Sequence, residues 1–386
     1  MPKLIPIVLL MFSLGCGTTH VCNAPSDAST CTCGSNSACP AEFNSYIYAA
    51  GTNSPITIFP LVAPVGTLET PTMSTGPAAS PGIAAVYESF LYASNPQAAG
   101  GGAIDAWTIN SNTGALVPIP GSPFSLGGVT SPAGLAVADG NAVIAQDVPG
   151  PFLYVADAGK IDALQVANNG TGTLTAVPGS PFTTGTNLYL TVDPMSRFVF
   201  AADEDPPGGV LALAINSSTG ALTPVPGSPF PISNSSGSLH PGQIVVDGSG
   251  SFVYVTVPST GQIAAFAISP SSGVLTTVPD APFTAGSGAF AMATTPGGFL
   301  YVSNNGAGTL SGYSINPTTG ALTQLAGSPF PIQATTLTTD SGYGHLYASG
   351  PSGMMVFNID SSTGVPTQVG PAIAFAGSIA LAYAGP

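Results

Sequence analysis

Basic side chains are almost missing from this sequence: Lys3, Lys160 and Arg197 are its whole complement, against 17 acids and a formal net charge of -14. A nucleic-acid binder neutralises phosphates with Lys and Arg and releases their counterions. Two bases in the body of the chain therefore exclude nucleic acid as a partner. The same shortage removes the arginine clamp that phosphorylated or multiply carboxylated ligands call for, and it leaves neutral ligands or cations as the better match. Cysteine is absent after residue 39, so residues 40–386 depend on their hydrophobic core alone. Charged residues make up only 5% of the chain, too few for the Glu- and Lys-rich outer faces of amphipathic helices. What is abundant is 49 Gly, 39 Pro and 44% hydrophobic residues, the composition of an all-β protein rich in turns.

At the N-terminus, "MPKLIPIVLLMFSLGC" sets Lys3 before an apolar run from Leu4 to Leu14. That run is too short to span a bilayer and has the form of a signal-peptide core, which predicts a leader over residues 1–15 and export. Gly15 followed by Cys16 resembles the bacterial lipoprotein cleavage motif, with Ser13 where an aliphatic residue is usual. The resemblance implies lipidation at Cys16 and a periplasmic or cell-surface protein that meets the membrane only through that anchor; an ordinary leader with a nearby cysteine is the alternative. Cys22, Cys31, Cys33 and Cys39 then remain in a tether over 16–43. Four thiols in an oxidising compartment allow three pairings, and "CTC" lacks the gap of common zinc and redox motifs.

The rest of the chain is repetitive. "TGALTPVPGSPFPI" at 219–232 returns as "TGALTQLAGSPFPI" at 319–332, and seven imperfect copies of the unit can be aligned. A turn glycine recurs at Gly66, Gly114, Gly172, Gly220, Gly273, Gly320 and Gly364, in step with a β-rich pentad such as "FLYVA" at 152 and "FLYVS" at 299. Intervals of 44–58 residues with four β runs per unit are the mark of a propeller blade. The expectation is one domain over 44–386, a monomeric seven-bladed β-propeller with four-stranded blades, strands a to d from the channel outward. "NPTTGAL" falls at the turn from c to d, where Gly accepts positive φ. "GSPF" falls after strand d, where Pro ends the ladder and Phe fills the gap between blades. The first unit has no strand a and the last run, 378–384, matches one. That run is expected to join the first blade, closing the ring and removing its exposed edges.

The unit "FLYVSNNGAGTLSGYSINPTTGALTQLAGSPF" resembles repeats of the seven-bladed lactonase-like propellers, among them 6-phosphogluconolactonase, the carboxymuconate cyclising enzyme and exported proteins with "YVTN"-type repeats. The resemblance covers about residues 44–386 and implies that fold. Family enzymes often carry "HPH" before a strand ending in "DPSG"; "LHPGQIVVDGSG" at 239–250 keeps His240, Pro241, Asp247 and Gly250 but has Gly242 for the second histidine. Arginines for anionic substrates, which similar enzymes use, are missing beyond Arg197.

In a propeller the loops from d to a and from b to c share the top face, where ligand sites commonly lie. This sorts the ionisable residues: His240, Asp157, Lys160 and the run Asp203, Glu204, Asp205 map to the top, and Asp193, Arg197, Asp247 and Asp340 to turns at the bottom. His240 is suited to general-base work with Glu204 assisting, although a His before Pro also serves as a plain turn residue. Three successive acids are candidate Ca²⁺ ligands, but adjacent acids seldom converge on one ion, and no cofactor or metal is expected. Two functions follow. One is a binding or scaffold module whose top face, with Asp157, Lys160, Asp203, Asp205 and His240, takes a protein, glycan or small neutral ligand. The alternative, implied by the resemblance, is a hydrolase of an uncharged or weakly charged lactone with His240 and Glu204 as catalytic residues.

Overall fold

The computed structural model describes residues 45–384 apart from 51–54, 63–66, 70, 74–82, 87–88, 97, 99–101, 127–133, 139–150, 168, 204, 206–207, 233–238, 341–343 and 376–379. The predicted leader, the tether with Cys16, Cys22, Cys31, Cys33 and Cys39, and also Gly66 and Glu204 lie outside these residues. The chain divides into two units, Met1–Glu42 and Phe43–Pro386, and everything described belongs to the second.

The unbroken apolar pentads become strand b of each blade, buried from end to end at Ser45–Ala50, Phe90–Asn95, Phe198–Asp203, Phe252–Val257, Phe299–Asn304 and His345–Gly350. Neighbouring blades cover both faces of these strands, so no position tolerates the polar alternation of a half-exposed sheet. In blade three, strands b and c form one hairpin within Phe152–Val166, closed by Val166 N donating to Pro151 O at 2.8 Å as Ile215 N donates to Arg197 O in blade four. The result is a seven-bladed all-β propeller of antiparallel a-b-c-d blades. Blades three and four are joined more tightly than the rest. The strand Phe182–Val192 pairs first with the blade-three hairpin and then with strand b of blade four, giving one eight-stranded sheet.

The ring closes as the strand count predicts. Ala380–Ala384 runs antiparallel to the first strand, Tyr46 opposite Ala384 and Ala50 opposite Ala380. Tyr383 on this strand stacks on Tyr347 of blade seven with 6.2 Å between ring centroids, and its hydroxyl lies 3.1 Å from Ser45 Oγ.

One expectation needs correction. Pro in "GSPF" does not end strand d; it splits it. In blade four Leu222–Pro224 pairs with Leu213–Ile215, and after the cis Ser228-Pro229 bond Phe230 and Pro231 pair with Val210 and Gly209 of the same strand c. Equivalent cis bonds precede Pro123, Pro181, Pro282 and Pro329. The serine holds the kink by accepting a hydrogen bond from strand c, Ala212 N to Ser228 Oγ at 2.8 Å and Gly312 N to Ser328 Oγ at 3.0 Å. A proline without an N–H is tolerated because the ladder resumes beyond it.

The glycine and the pentad prove to be two halves of one contact. Gly220 has φ 72°, and a Cβ on it would collide with the ring of Phe152 in the preceding blade. Two residues along that same strand, the hydroxyl of Tyr154 donates to Gly220 O at 2.9 Å. The clasp repeats as Tyr48 to Gly114, Tyr92 to Gly172, Tyr254 to Gly320 and Tyr301 to Gly364, with O···O distances of 2.5–2.9 Å. Burial raises the pKa of each of these tyrosines, so each stays a neutral donor. Blade four departs from the pattern: Phe200 stands in the tyrosine position, and among the described residues no hydroxyl donates to Gly273 O.

The acids assigned to the bottom are turn caps. Asp193 Oδ1 accepts from the backbone N–H groups of Arg197 and Phe198 at 2.5 and 2.8 Å, and Asp247 Oδ1 from those of Ser251 and Phe252 at 2.8 and 2.7 Å. Arg197 pairs with Asp193 Oδ2 at 2.7 Å and donates across to Gly250 O and Pro270 O in blade five. It is a strut between two blades, committed far from the top face.

Candidate functional site

Three segments of the top face meet around blade four. Strand b ends in Asp203, which is buried, and the N–H of exposed Asp205 donates to Asp203 Oδ1 at 3.1 Å. Burial, and then the charge of Asp205, raise the Asp203 carboxyl above the usual carboxylate range, against the opposing pull of that N–H. Gly185, on the connection from blade three, faces both acids: a Cβ there would collide with Asp203 Oδ1 and stand 2.9 Å from Asp205 Oδ2. Gly208, at the end of the same hairpin, packs against the carbonyl of Leu239. The next residue is His240, exposed to solvent, and among the described residues its imidazole has no hydrogen bond or ion pair. The fold thus brings the end of this hairpin, at Gly208, against the segment that leads into His240.

The departure from "HPH" has a packing cause. A Cβ on Gly242 would lie 2.7 Å from Thr256 Oγ, and Gly242 N donates to Thr256 O at 2.8 Å. Thr256 Oγ in turn donates to Phe290 O at 3.0 Å, and Gln243 Oε1 accepts from Met292 N at 2.5 Å. The space a second histidine would need is filled by links from blade five to strand a of blade six. Beside them the ring of Phe290 meets that of Tyr189 from blade four, edge to face at 5.5 Å.

Asp157 and Lys160 occupy the blade-three hairpin, Asp157 buried and Lys160 half-buried. Asp162, two residues further on, belongs to no recognisable motif, yet it is only 3% exposed, inside strand c. Burial first and the charge of Asp157 second push its carboxyl up to about 6, with Lys160 and the Ser180 hydroxyl pulling the other way. The signal was an acid amid "KIDALQV", at a place where blades four and seven carry Leu211 and Met355. Blade two has its own version: Asp105 in "AIDAWTI" is buried, is raised by burial and accepts from Asn95 Nδ2 at 3.0 Å. Among the described residues no three His, Cys, Asp or Glu side chains cluster as metal ligands, and Glu204 of the proposed acidic run is not among them.

A family model described as lactonase, 7-bladed β-propeller, matches residues 210–338, from strand c of blade four to strand a of blade seven. The fold is that of the lactonase-like seven-bladed propellers. Solved structures agree. A protein of Bacteroides uniformis provisionally described as a 6-phosphogluconolactonase superposes on this chain with a TM-score of 0.68 at 16% identity, covering 88% of this chain and 99% of that one. The periplasmic gluconolactonase of Pseudomonas aeruginosa gives a TM-score of 0.62 at 16% identity, covering 89% of this chain and 100% of that one. Among curated proteins none matches the sequence.

Proposed function

We propose that this lactonase-like propeller is a lactone hydrolase acting at the top face around His240. The observation that carries the reading is the lactonase family match, which spans His240 and its flanking strands. The names of the structural neighbours, a gluconolactonase and a provisional 6-phosphogluconolactonase, point the same way. They favour hydrolysis over the binding or scaffold role expected from the sequence. The substrate is an uncharged lactone, because Arg197 is held by Asp193 at the bottom and no other arginine exists for a phosphate.

In the reaction proposed, the exposed imidazole of His240 takes a proton from water as the water oxygen attacks the lactone carbonyl. Collapse of the tetrahedral intermediate breaks the ring C–O bond, and the departing alkoxide receives a proton from a carboxyl of the neighbouring hairpin. Asp203, whose burial favours the protonated form, suits that role, and Glu204 is its sequence neighbour. No cofactor enters this chemistry. Export as a lipid-anchored periplasmic or cell-surface monomer belongs to the same proposal and rests on Lys3, the run to Leu14 and Cys16.

The test is hydrolysis of glucono-δ-lactone beside its 6-phosphate by the purified protein and by His240→Ala. Turnover of the neutral lactone, a weaker response to the phosphate, and a loss of at least a hundredfold in the variant are expected. A folded wild-type protein that turns over neither lactone sinks the reading.

A further inference from the structure

Between blades two and three lies a cavity of about 340 Å³, walled by Phe124 and Pro123 of the blade-two "GSPF" segment and by Leu164, Leu174, Ser180 and Asp162 of blade three. That volume is at the small end of the range for ligand pockets. Asp162 stands in strand c of blade three. At the same position of strand c, blade four has Leu211 and blade seven has Met355, each buried in the cluster that also holds the preceding blade's Phe182 or Phe330. In blade three Asp162 takes this position, and it lines the cavity.

Asp162 also leaves chemistry unfinished. Its Oδ1 has only a long 3.5 Å contact with the Ser180 hydroxyl, and its buried Oδ2 has no hydrogen-bond partner. A buried carboxyl with an idle oxygen is costly unless something completes it. Rotation about χ2 of an aspartate is soft, so a small turn presents that oxygen to an occupant of the cavity.

We propose that this cavity binds a small organic ammonium ion with a short apolar tail, the ammonium on Asp162 and the tail against Phe124, Leu164 and Leu174. The site is separate from the His240 region and does not rest on the lactonase reading. An anion is excluded by the carboxyl and by Asp157 nearby. A metal ion wants several oxygen ligands, and Asp162 is the one carboxyl on the cavity wall. The protein's net charge of -14 draws cations toward it.

Protonation competes with binding. Asp162 titrates near 6, and the ionisable groups around it are Asp157 and Lys160 of its own hairpin. The blade-two wall contributes Gly121, Pro123, Phe124 and Ser125, none of which titrates. Affinity is therefore flat near neutrality and falls up to about tenfold per pH unit below 6.

The experiment titrates the full-length protein with n-butylammonium, and separately with 1-butanol as its uncharged counterpart, by calorimetry at pH 7.5 and pH 5. Butylammonium binds wild type, binds Asp162→Asn at least tenfold more weakly, and does not bind Asp162→Leu, which puts into the cavity wall the residue type of Leu211 in blade four. Melting curves of both variants establish that they are folded. Absence of binding by wild type, equal affinity for butanol, or undiminished binding by folded Asp162→Leu overturns the proposal.

Discussion

Phe200→Tyr should stabilise this protein. Phe200 is fully buried at the position where Tyr154 and Tyr254 donate to the turn glycine of the next blade, and Gly273 meets Phe198 as Gly320 meets Phe252. The added hydroxyl then has an acceptor waiting at Gly273 O. A net intramolecular hydrogen bond contributes about 0.5–1.5 kcal/mol, while stripping one partner from a buried pair costs about 1–3 kcal/mol. The reverse change, Tyr254→Phe, leaves Gly320 O without its donor and takes the larger figure. A propeller over Phe43–Pro386 has a melting entropy of about 0.7 kcal/mol/K by the usual per-residue scale. Expected shifts are thus about +1 to +2 °C for Phe200→Tyr and about -1 to -4 °C for Tyr254→Phe. Differential scanning calorimetry, with denaturant titration for the free energies, resolves both. A Phe200→Tyr variant that melts lower, beside a neutral Tyr254→Phe, would refute the idea that the clasp stabilises the blade junctions.

Removal of residues 380–386 takes away the strand paired with Ser45–Ala50 and the Tyr383 ring stacked on Tyr347. The truncated protein should lose its single cooperative transition, and melting like the full-length chain would show that closure matters little. Asp162, Asp105 and Asp203 all have folded-state carboxyls raised mainly by burial. The folded state therefore holds more protons than the unfolded one between about pH 4 and 6, and stability falls as pH rises through that window. For Asp162, raised from 3.8 to about 6, the ceiling is about 3 kcal/mol; Asp162→Asn should flatten that part of a pH series of urea melts, and an unchanged slope would refute it.

Much of the fold could be read from the order of residues because its repeat is local. "TGAL" is a turn wherever it occurs, and the Asn316 side chain that caps Thr318 and Thr319 is a neighbour in sequence. Strand closure was legible too, from a missing strand at one end and a spare at the other. What was not legible depends on contacts between blades. The glycine and the pentad recur in step without showing that they touch, yet Tyr154 and Gly220 meet across 66 positions. Pro229 read as a stop because the resumption of pairing at Phe230 depends on strand c of the same blade. The ionisable residues followed the same rule. Asp157, Lys160 and His240 stood out as loop residues, whereas Asp162 hid inside a strand whose other residues fit the repeat, and only the neighbouring Phe124 and Ser180 show the cavity that it lines.

The tyrosine-to-glycine clasp has a directional consequence. Where the clasp is made, one blade supplies the donor and the next the acceptor, so these five junctions are head to tail, the kind of contact that runs on as a filament unless geometry brings the ends together. Any copy of the unit fits behind any other, which makes lengthening by duplication easy and says nothing of when to stop. Nothing in the clasp counts to seven. The number is set by the angle between blades, and the returning strand Ala380–Ala384 pairs with the first strand, so that the two ends of the series meet in one blade.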